Sequence, residues 1–190
     1  MSVLSDSLKE KESEPELELK TGFDKAPPPP PVTIWGERNL PIALISDIDN
    51  TIAFISTTEG VPSRNFNDFA KSLDDVPNGK VVSLIKAWYS LSESPTIYFV
   101  TNRDVKWRDV TTRWLVRYFS PAQYKWILRM RPSNDLFSTA AAAKEAHLVN
   151  EIAKKHSVQQ VWEDDPECIE MYRSYNLVVM DAKETWPRGG

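Results

Sequence analysis

A single cysteine, Cys168, and two histidines, His147 and His156, are the only thiol and imidazole groups in this 190-residue sequence. One thiol cannot close an internal disulfide, and no cysteine–histidine cluster exists to build a zinc site. A reducing compartment, the cytoplasm, fits that poverty. Long apolar runs are also missing, and the opening residues "MSVLSDSLKEKESEPELELK" are acidic where a secretory leader would be basic and then apolar. A chain without membrane association is expected. Positive charge is not in excess: 23 Lys and Arg against 27 Asp and Glu leave a net charge of -4. That balance offers no bulk attraction to a polyanion and leaves the task to local patches. Glycine-rich phosphate loops of the form GxxxxGK[ST] do not occur. Nor does "CIEMYR", Cys168 to Arg173, have the spacing and glycines of a cysteine-phosphatase loop, so Cys168 reads as core. The histidines fall in a segment that reads as exposed helix, where solvated side chains are expected.

What is present sorts into a tail and one globular unit. Residues 1–33 are rich in glutamate and lysine, poor in aromatics, and end in "APPPPPV", which favours an extended polyproline conformation. A disordered acidic tail with a stiff proline spacer is expected; a proline-binding partner for this run is the other reading. From Pro41 on, short apolar runs alternate with helical patterns. "IALI" (42–45), "TIYFV" (96–100), "WILRM" (126–130), "QVW" (160–162) and "LVVM" (177–180) read as strands. Val81, Leu84, Ile85 and Trp88 mark an amphipathic helix after Asn78-Gly79, and Val110, Trp114 and Tyr118 mark a second. A third helix is expected from about Ser138 to Lys155, and a fourth after Pro166. Such alternation predicts an α/β fold: a parallel sheet covered by helices on both faces, with ligands at the carboxyl ends of its strands.

Those strand ends carry "SDIDNT", "TNR", "RPSNDLF" and "EDDP". Asp47 and Asp49 repel each other unless a cation sits between them or one keeps its proton. The pair therefore suggests either a divalent metal or a division into nucleophile and acid. Asp164 and Asp165, arriving on another strand end, add hard oxygen ligands of the kind that suit Mg²⁺.

Asp47-Ile48-Asp49-Asn50-Thr51, Thr101 after the next strand, Lys144 on a helix and Asp164-Asp165 resemble, in order, the four motifs of the haloacid dehalogenase (HAD) superfamily of phosphotransferases. Across residues 41–182 the resemblance is strongest to the 3′-phosphatase domain of polynucleotide kinase-phosphatases. It implies a Rossmann-like three-layer α/β/α sandwich with a minimal cap, occupying residues 34–190. It further implies Asp47 as nucleophile, forming an aspartyl-phosphate, and Asp49 as general acid and base. Mg²⁺ would be held by Asp47, the Asp49 carbonyl and Asp164 or Asp165. Thr101, Asn102, Arg103 and Lys144 would meet the phosphate. One departure is Asn50, where much of the superfamily has glycine. With no phosphate loop of the kinase type, this sequence alone is not expected to phosphorylate 5′ ends.

About twenty residues separate Phe54 from Pro77, too few for a large cap, and an open site admits a polymer end. From Arg103 to Arg131 eight basic residues face two acidic ones. On a continuous helix Lys106, Arg113 and Arg117 would share a stripe beside Trp107, Val110, Trp114 and Tyr118, either a solvated face over core aromatics or a track for a nucleic-acid strand. The expected activity is removal of a 3′-phosphate from nucleic-acid ends. The alternatives are a nucleotidase or small-molecule acid phosphatase of the same chemistry, and a non-catalytic interaction module.

Overall fold

In a computed structural model, residues 40–58, 61–65, 67–135 and 138–185 are described; the expected tail and spacer lie outside them. Strand β1 (Ile42–Ser46) leads into a tight loop, followed by the two-residue strands β2 (Ala53–Phe54), β3 (Thr57–Thr58), β4 (Val61–Pro62) and β5 (Val76–Pro77). A 3₁₀ segment, Phe69–Asp74, precedes β5. Then come α1 (Gly79–Leu91), β6 (Thr96–Asp104), α2 (Arg108–Tyr118), β7 (Trp126–Arg131), α3 (Ala140–His147), α4 (Ala153–Lys155), β8 (Ser157–Glu163), α5 (Pro166–Ser174) and β9 (Val179–Asp181). A π-helical stretch, Leu148–Ile152, joins α3 to α4, so the expected third helix is one continuous run with a widened middle.

The main sheet has the order β7-β6-β1-β8-β9, every pairing parallel. Alternation along its strands feeds two cores. Leu44, Ile97, Phe99 and Leu128 pack against Val81, Val82 and Ile85 of α1 and Trp114 and Leu115 of α2. Ala43, Ile45, Tyr98 and Val100 face the other way, toward Leu148, Ile152 and Tyr172. The fold is a Rossmann-like α/β/α sandwich. Its strand order reverses direction at β1, between β6 and β8, which puts the crevice favoured for ligands at the carboxyl ends of those strands.

Several expectations need correction. Leu84 does not join the buried stripe of α1 but is 50% exposed, its place taken by Val82. His156 is buried just past α4, its Nδ1 3.1 Å from the Tyr98 hydroxyl, and His147 Nε2 lies 3.2 Å from the Met130 carbonyl. Neither is a solvated surface group, because the helix packs these faces onto the sheet; burial pushes both imidazoles below their ordinary pKa. Lys106 and Trp107 do not belong to α2. The Asp104 carboxylate accepts the Lys106 N–H at 2.8 Å and closes a separate 3₁₀ turn, Val105–Trp107, before the helix starts. No continuous stripe with Arg113 and Arg117 therefore forms.

Candidate active site

The loop after β1 is wound tightly around one carbonyl: Ile48 C=O accepts from the N–H groups of Thr51, Ile52 and Ala53 at 3.3, 3.0 and 2.9 Å. That winding carries Asn50 into the left-handed region, φ 58°, which asparagine tolerates better than most side chains and glycine tolerates freely. The departure at this position is thus one of side chain, not of backbone shape. Asn78 braces the loop from α1, donating to the Thr51 carbonyl at 3.0 Å.

A cavity of about 220 Å³ opens beside this loop, lined by Asp47, Asp49, Thr101, Asn102, Arg103, Lys144, Asp164 and Asp165 together with Asn50, Asn67, Phe69, Ala140 and Glu163. Strands β1, β6 and β8 and helix α3 thus converge, at their expected ends, on one place. All eight residues singled out from the sequence meet there, but not in equal capacity.

At the centre is a buried ionic chain. Lys144 Nζ donates 2.7 Å bonds to both Asp47 Oδ1 and Glu163 Oε2, and all three residues are at most 4% exposed. The other Glu163 oxygen accepts from the N–H groups of Asp164 and Asp165 at 3.1 and 3.2 Å. Burial alone would lower the Lys144 pKa, yet the adjoining carboxylates of Asp47 and Glu163 lift it well above its ordinary value. Burial raises Asp47 to about 7, against the pull of Lys144, and raises Asp164 to about 6, with Asp47 adding to the push. Glu163 is raised as well, again chiefly by burial.

Three carboxylates against one ammonium leave surplus negative charge in a low-dielectric place. One oxygen each from Asp47, Glu163 and Asp164 lies within 4.8 Å of the others. An all-oxygen set of this kind fits Mg²⁺. Asp165 stands apart, because its carboxylate caps α5, accepting from the N–H groups of Glu167 and Cys168 at 2.9 and 3.1 Å ahead of Pro166. Of the two aspartates the sequence left open, Asp164 is the one grouped with Asp47, and Glu163 joins them; Asp165 lines the cavity with its carboxylate engaged as the cap. Strand β8 simply runs one residue further than its apolar core.

These shifts set the sign of a pH effect. Asp47 and Asp164 titrate from 3.8 in the unfolded chain to about 7 and about 6 when folded, so between those values the folded state binds more protons than the unfolded. In EDTA, the thermal midpoint is expected to fall as pH rises from about 4 through about 7. Saturating Mg²⁺ is expected to flatten that slope.

Asp49 faces a second ionic cluster. Arg103 is 1% exposed and grips it with two bonds, Nε to Oδ2 at 2.9 Å and Nη2 to Oδ1 at 2.8 Å. Its third nitrogen reaches Thr111 Oγ1 at 3.2 Å and Ser72 Oγ at 3.4 Å. Arg64, also buried, donates to both oxygens of Asp75 at 2.8 and 2.6 Å and lies 3.7 Å from Asp49. Both guanidiniums stand over the Phe69 ring, at 5.0 and 4.8 Å. Arg64, Asp75 and Glu163 were not singled out from the sequence. Glu163 was visible in "EDDP", but Arg64 and Asp75 come from an irregular segment whose pairing spans eleven residues and leaves no periodic trace. Thr101 is buried, its hydroxyl accepting the Arg103 N–H at 3.2 Å; Asn102 is exposed and accepts from Arg131 at 3.1 Å.

A family model described as the polynucleotide kinase PNKP phosphatase domain matches residues 41–185. The chain belongs to this HAD-type phosphatase family. Among solved structures it is similar to a chain of the Pnkp1/Rnl/Hen1 RNA repair complex, at 22% identity and TM-score 0.64 over 77% of this chain and 44% of that one. A second structure of a Pnkp1/Rnl/Hen1 complex aligns at 24% identity and TM-score 0.63, covering 76% of this chain and 47% of the other. A haloacid dehalogenase-like hydrolase from Streptococcus pneumoniae aligns at 12% identity and TM-score 0.45, over 77% of this chain and 91% of that one. The chain thus spans less than half the length of the Pnkp1-complex chains. No curated protein sequence matches it. Among the described residues no helix is long and apolar enough to cross a membrane.

Proposed function

We propose that the chain is a Mg²⁺-dependent phosphomonoesterase that works through an aspartyl-phosphate on Asp47 and removes 3′-phosphates from nucleic-acid ends. The observation that carries this reading is the Asp47–Lys144–Glu163 chain, with Asp164 beside it, in a cavity at the carboxyl ends of β1 and β8. Asp47 attacks phosphorus, the bond to the ester oxygen breaks, and Asp49 gives its proton to the departing alkoxide. Asp49 then takes a proton from water as that water attacks the phosphorus. The bond to Asp47 breaks, and inorganic phosphate leaves.

Lys144 and Thr101 are suited to hold phosphoryl oxygens as charge redistributes, with Asn102 at the rim. Arg103 clamps the Asp49 carboxylate at rest, so proton delivery requires that clamp to loosen, and an entering phosphate dianion offers the guanidinium another partner. Asp47 and Asp164, with the Asp49 carbonyl, would hold Mg²⁺, which when bound supplies positive charge to the phosphoryl oxygens. Glu163 is better suited to keep Lys144 and the Asp164 backbone in place, since both its oxygens are already engaged. Asp164→Ala is expected to weaken Mg²⁺ dependence by orders of magnitude in phosphate-release titrations. Asp165→Ala is expected to leave it intact while lowering stability by about 1 kcal/mol, the usual value of a helix cap.

The polymer end is favoured over a free nucleotide by the family match, by the likeness to a chain of an RNA repair complex, and by the small segment over the site. Between β2 and β5 the described residues form only two-residue strands and one 3₁₀ segment. A buried free cysteine, Cys168, suits a reducing, cytoplasmic setting. The test is phosphate release from a 3′-phosphorylated oligonucleotide against nucleoside 3′- and 5′-monophosphates. Preference for the oligonucleotide supports the reading; equal or greater turnover of the mononucleotides overturns it in favour of a nucleotidase.

A further inference from the structure

From the wall of the catalytic cavity, an aromatic contact leads outward from buried Phe69 to half-buried Trp107. Phe69 lines the cavity, and its ring centroid is 6.5 Å from that of Trp107 with the planes inclined at 60°. Trp107 is half-buried in the turn directly after β6, the strand that brings Thr101, Asn102 and Arg103 to the cavity. On its own turn Lys106 holds an ammonium 5.5 Å from the indole centroid, with its side chain 62% exposed. The one carboxylate near that ammonium among the described residues is Asp104, at 4.0 Å, and Asp104 is already accepting from Ser133 and from the Lys106 backbone.

The cations closer to the cavity are committed: Lys144 to Asp47 and Glu163, Arg64 to Asp75 and Arg103 to Asp49. Lys106 is thus a cation beside the site whose charge is largely uncompensated. A half-buried ring at the edge of the core, next to an exposed ammonium and in contact with a wall of a phosphate-sized cavity, is an arrangement by which proteins hold single strands: a base stacks on the open part of the ring and the backbone phosphate meets the cation.

We infer that Trp107 and Lys106 form a strand-binding subsite in which the penultimate nucleotide, on the 5′ side of the one that carries the terminal phosphate, stacks on the indole and sets its backbone phosphate against the ammonium. This rests on the reading of the cavity as a 3′-phosphatase site and says where the rest of the strand lies. A base–indole contact is tolerant of sequence, so the subsite selects for a polymer rather than for a particular base. A mononucleotide, having no neighbour on the 5′ side, reaches neither group.

The full chain is assayed with a 3′-phosphorylated single-stranded hexanucleotide and with a nucleoside 3′-monophosphate. Trp107→Ala is expected to raise KM for the hexanucleotide on the order of tenfold and to leave turnover of the mononucleotide unchanged, with Trp107→Phe restoring most of the loss. Lys106→Ala, at an exposed position, is expected to make the dependence of log KM on log salt shallower by about 0.7, one released counterion on a single strand. The same differences should appear as binding affinity when each change is combined with Asp47→Asn and titrated against a labelled hexanucleotide. Should Trp107→Ala fail to fold, the salt slope of Lys106→Ala still decides the matter. Hexanucleotide KM and salt slope unchanged in the variants, or parallel loss on both substrates, overturns the subsite. A wild-type chain that hydrolyses the mononucleotide as well as the hexanucleotide overturns the substrate reading instead.

Discussion

Asp47→Asn is expected to reduce phosphate release by ~10⁴-fold or more, the scale on which a catalytic residue acting within a unit is lost. Asparagine keeps the shape and still accepts the bond from Lys144 Nζ, which lies 2.7 Å from Asp47 Oδ1, so the loss reports the nucleophile and not the packing. Stability moves the other way or not at all. Asp47 is a carboxylate whose burial disfavours its charge, and the amide removes that penalty. In EDTA at neutral pH the variant's thermal midpoint is expected to match or exceed that of the wild type. Activity retained within tenfold would mean that Asp47 is not the nucleophile; a wild-type chain that releases no phosphate, and that Asp47→Asn leaves unchanged, would favour the interaction-module reading.

Lys144→Met is expected to cost more in stability than any other single change at the site. The lysine is 3% exposed and compensates two buried carboxylates. Removing one partner of such a buried set strands the rest, typically at ~3–5 kcal/mol. Activity is lost with it, because the cation facing the phosphoryl oxygens disappears. Two features make the result diagnostic. The destabilisation is greatest at neutral pH and shrinks toward acid, where Asp47 and Glu163, both already raised by burial, take up protons. Mg²⁺ also recovers part of it by replacing some of the missing positive charge. A variant with a midpoint near that of wild type, measured by calorimetry with and without Mg²⁺, would mean that Lys144 is not the counter-charge described here.

The strands and helices along the chain, the two covered faces and the strand ends that carry the site could be read from the sequence because each depends on local pattern. Runs such as "IALI" and "TIYFV" are apolar on both faces, as a strand buried between two helical layers must be, and chemistry at their carboxyl ends follows from chain direction alone. What could not be read depends on register or on distance along the chain. Glu163 looks like a flanking residue until β8 is seen to extend through it and bring it onto Lys144, whereas a cap at Asp165 ahead of Pro166 is a local pattern the sequence does offer. Arg64 and Asp75 sit in a segment without periodicity and meet Asp49 and Arg103 only through the tertiary fold. The expected basic stripe is broken for a local reason: Lys106 lies in a 3₁₀ turn, opened by the Asp104 cap, ahead of α2. Lys144 could be placed on a helix from sequence, but its burial belongs to the packing of α3 against β6 and α5.

The stereochemistry at phosphorus tests the central claim most directly. With an oligonucleotide 3′-phosphorothioate made chiral by oxygen isotopes and hydrolysed in labelled water, attack by Asp47 and then by water are two in-line displacements. The released inorganic thiophosphate is then expected to show overall retention of configuration. Inversion would mean a single direct attack by water, with no aspartyl-phosphate on Asp47, and would contradict the mechanism proposed for this site.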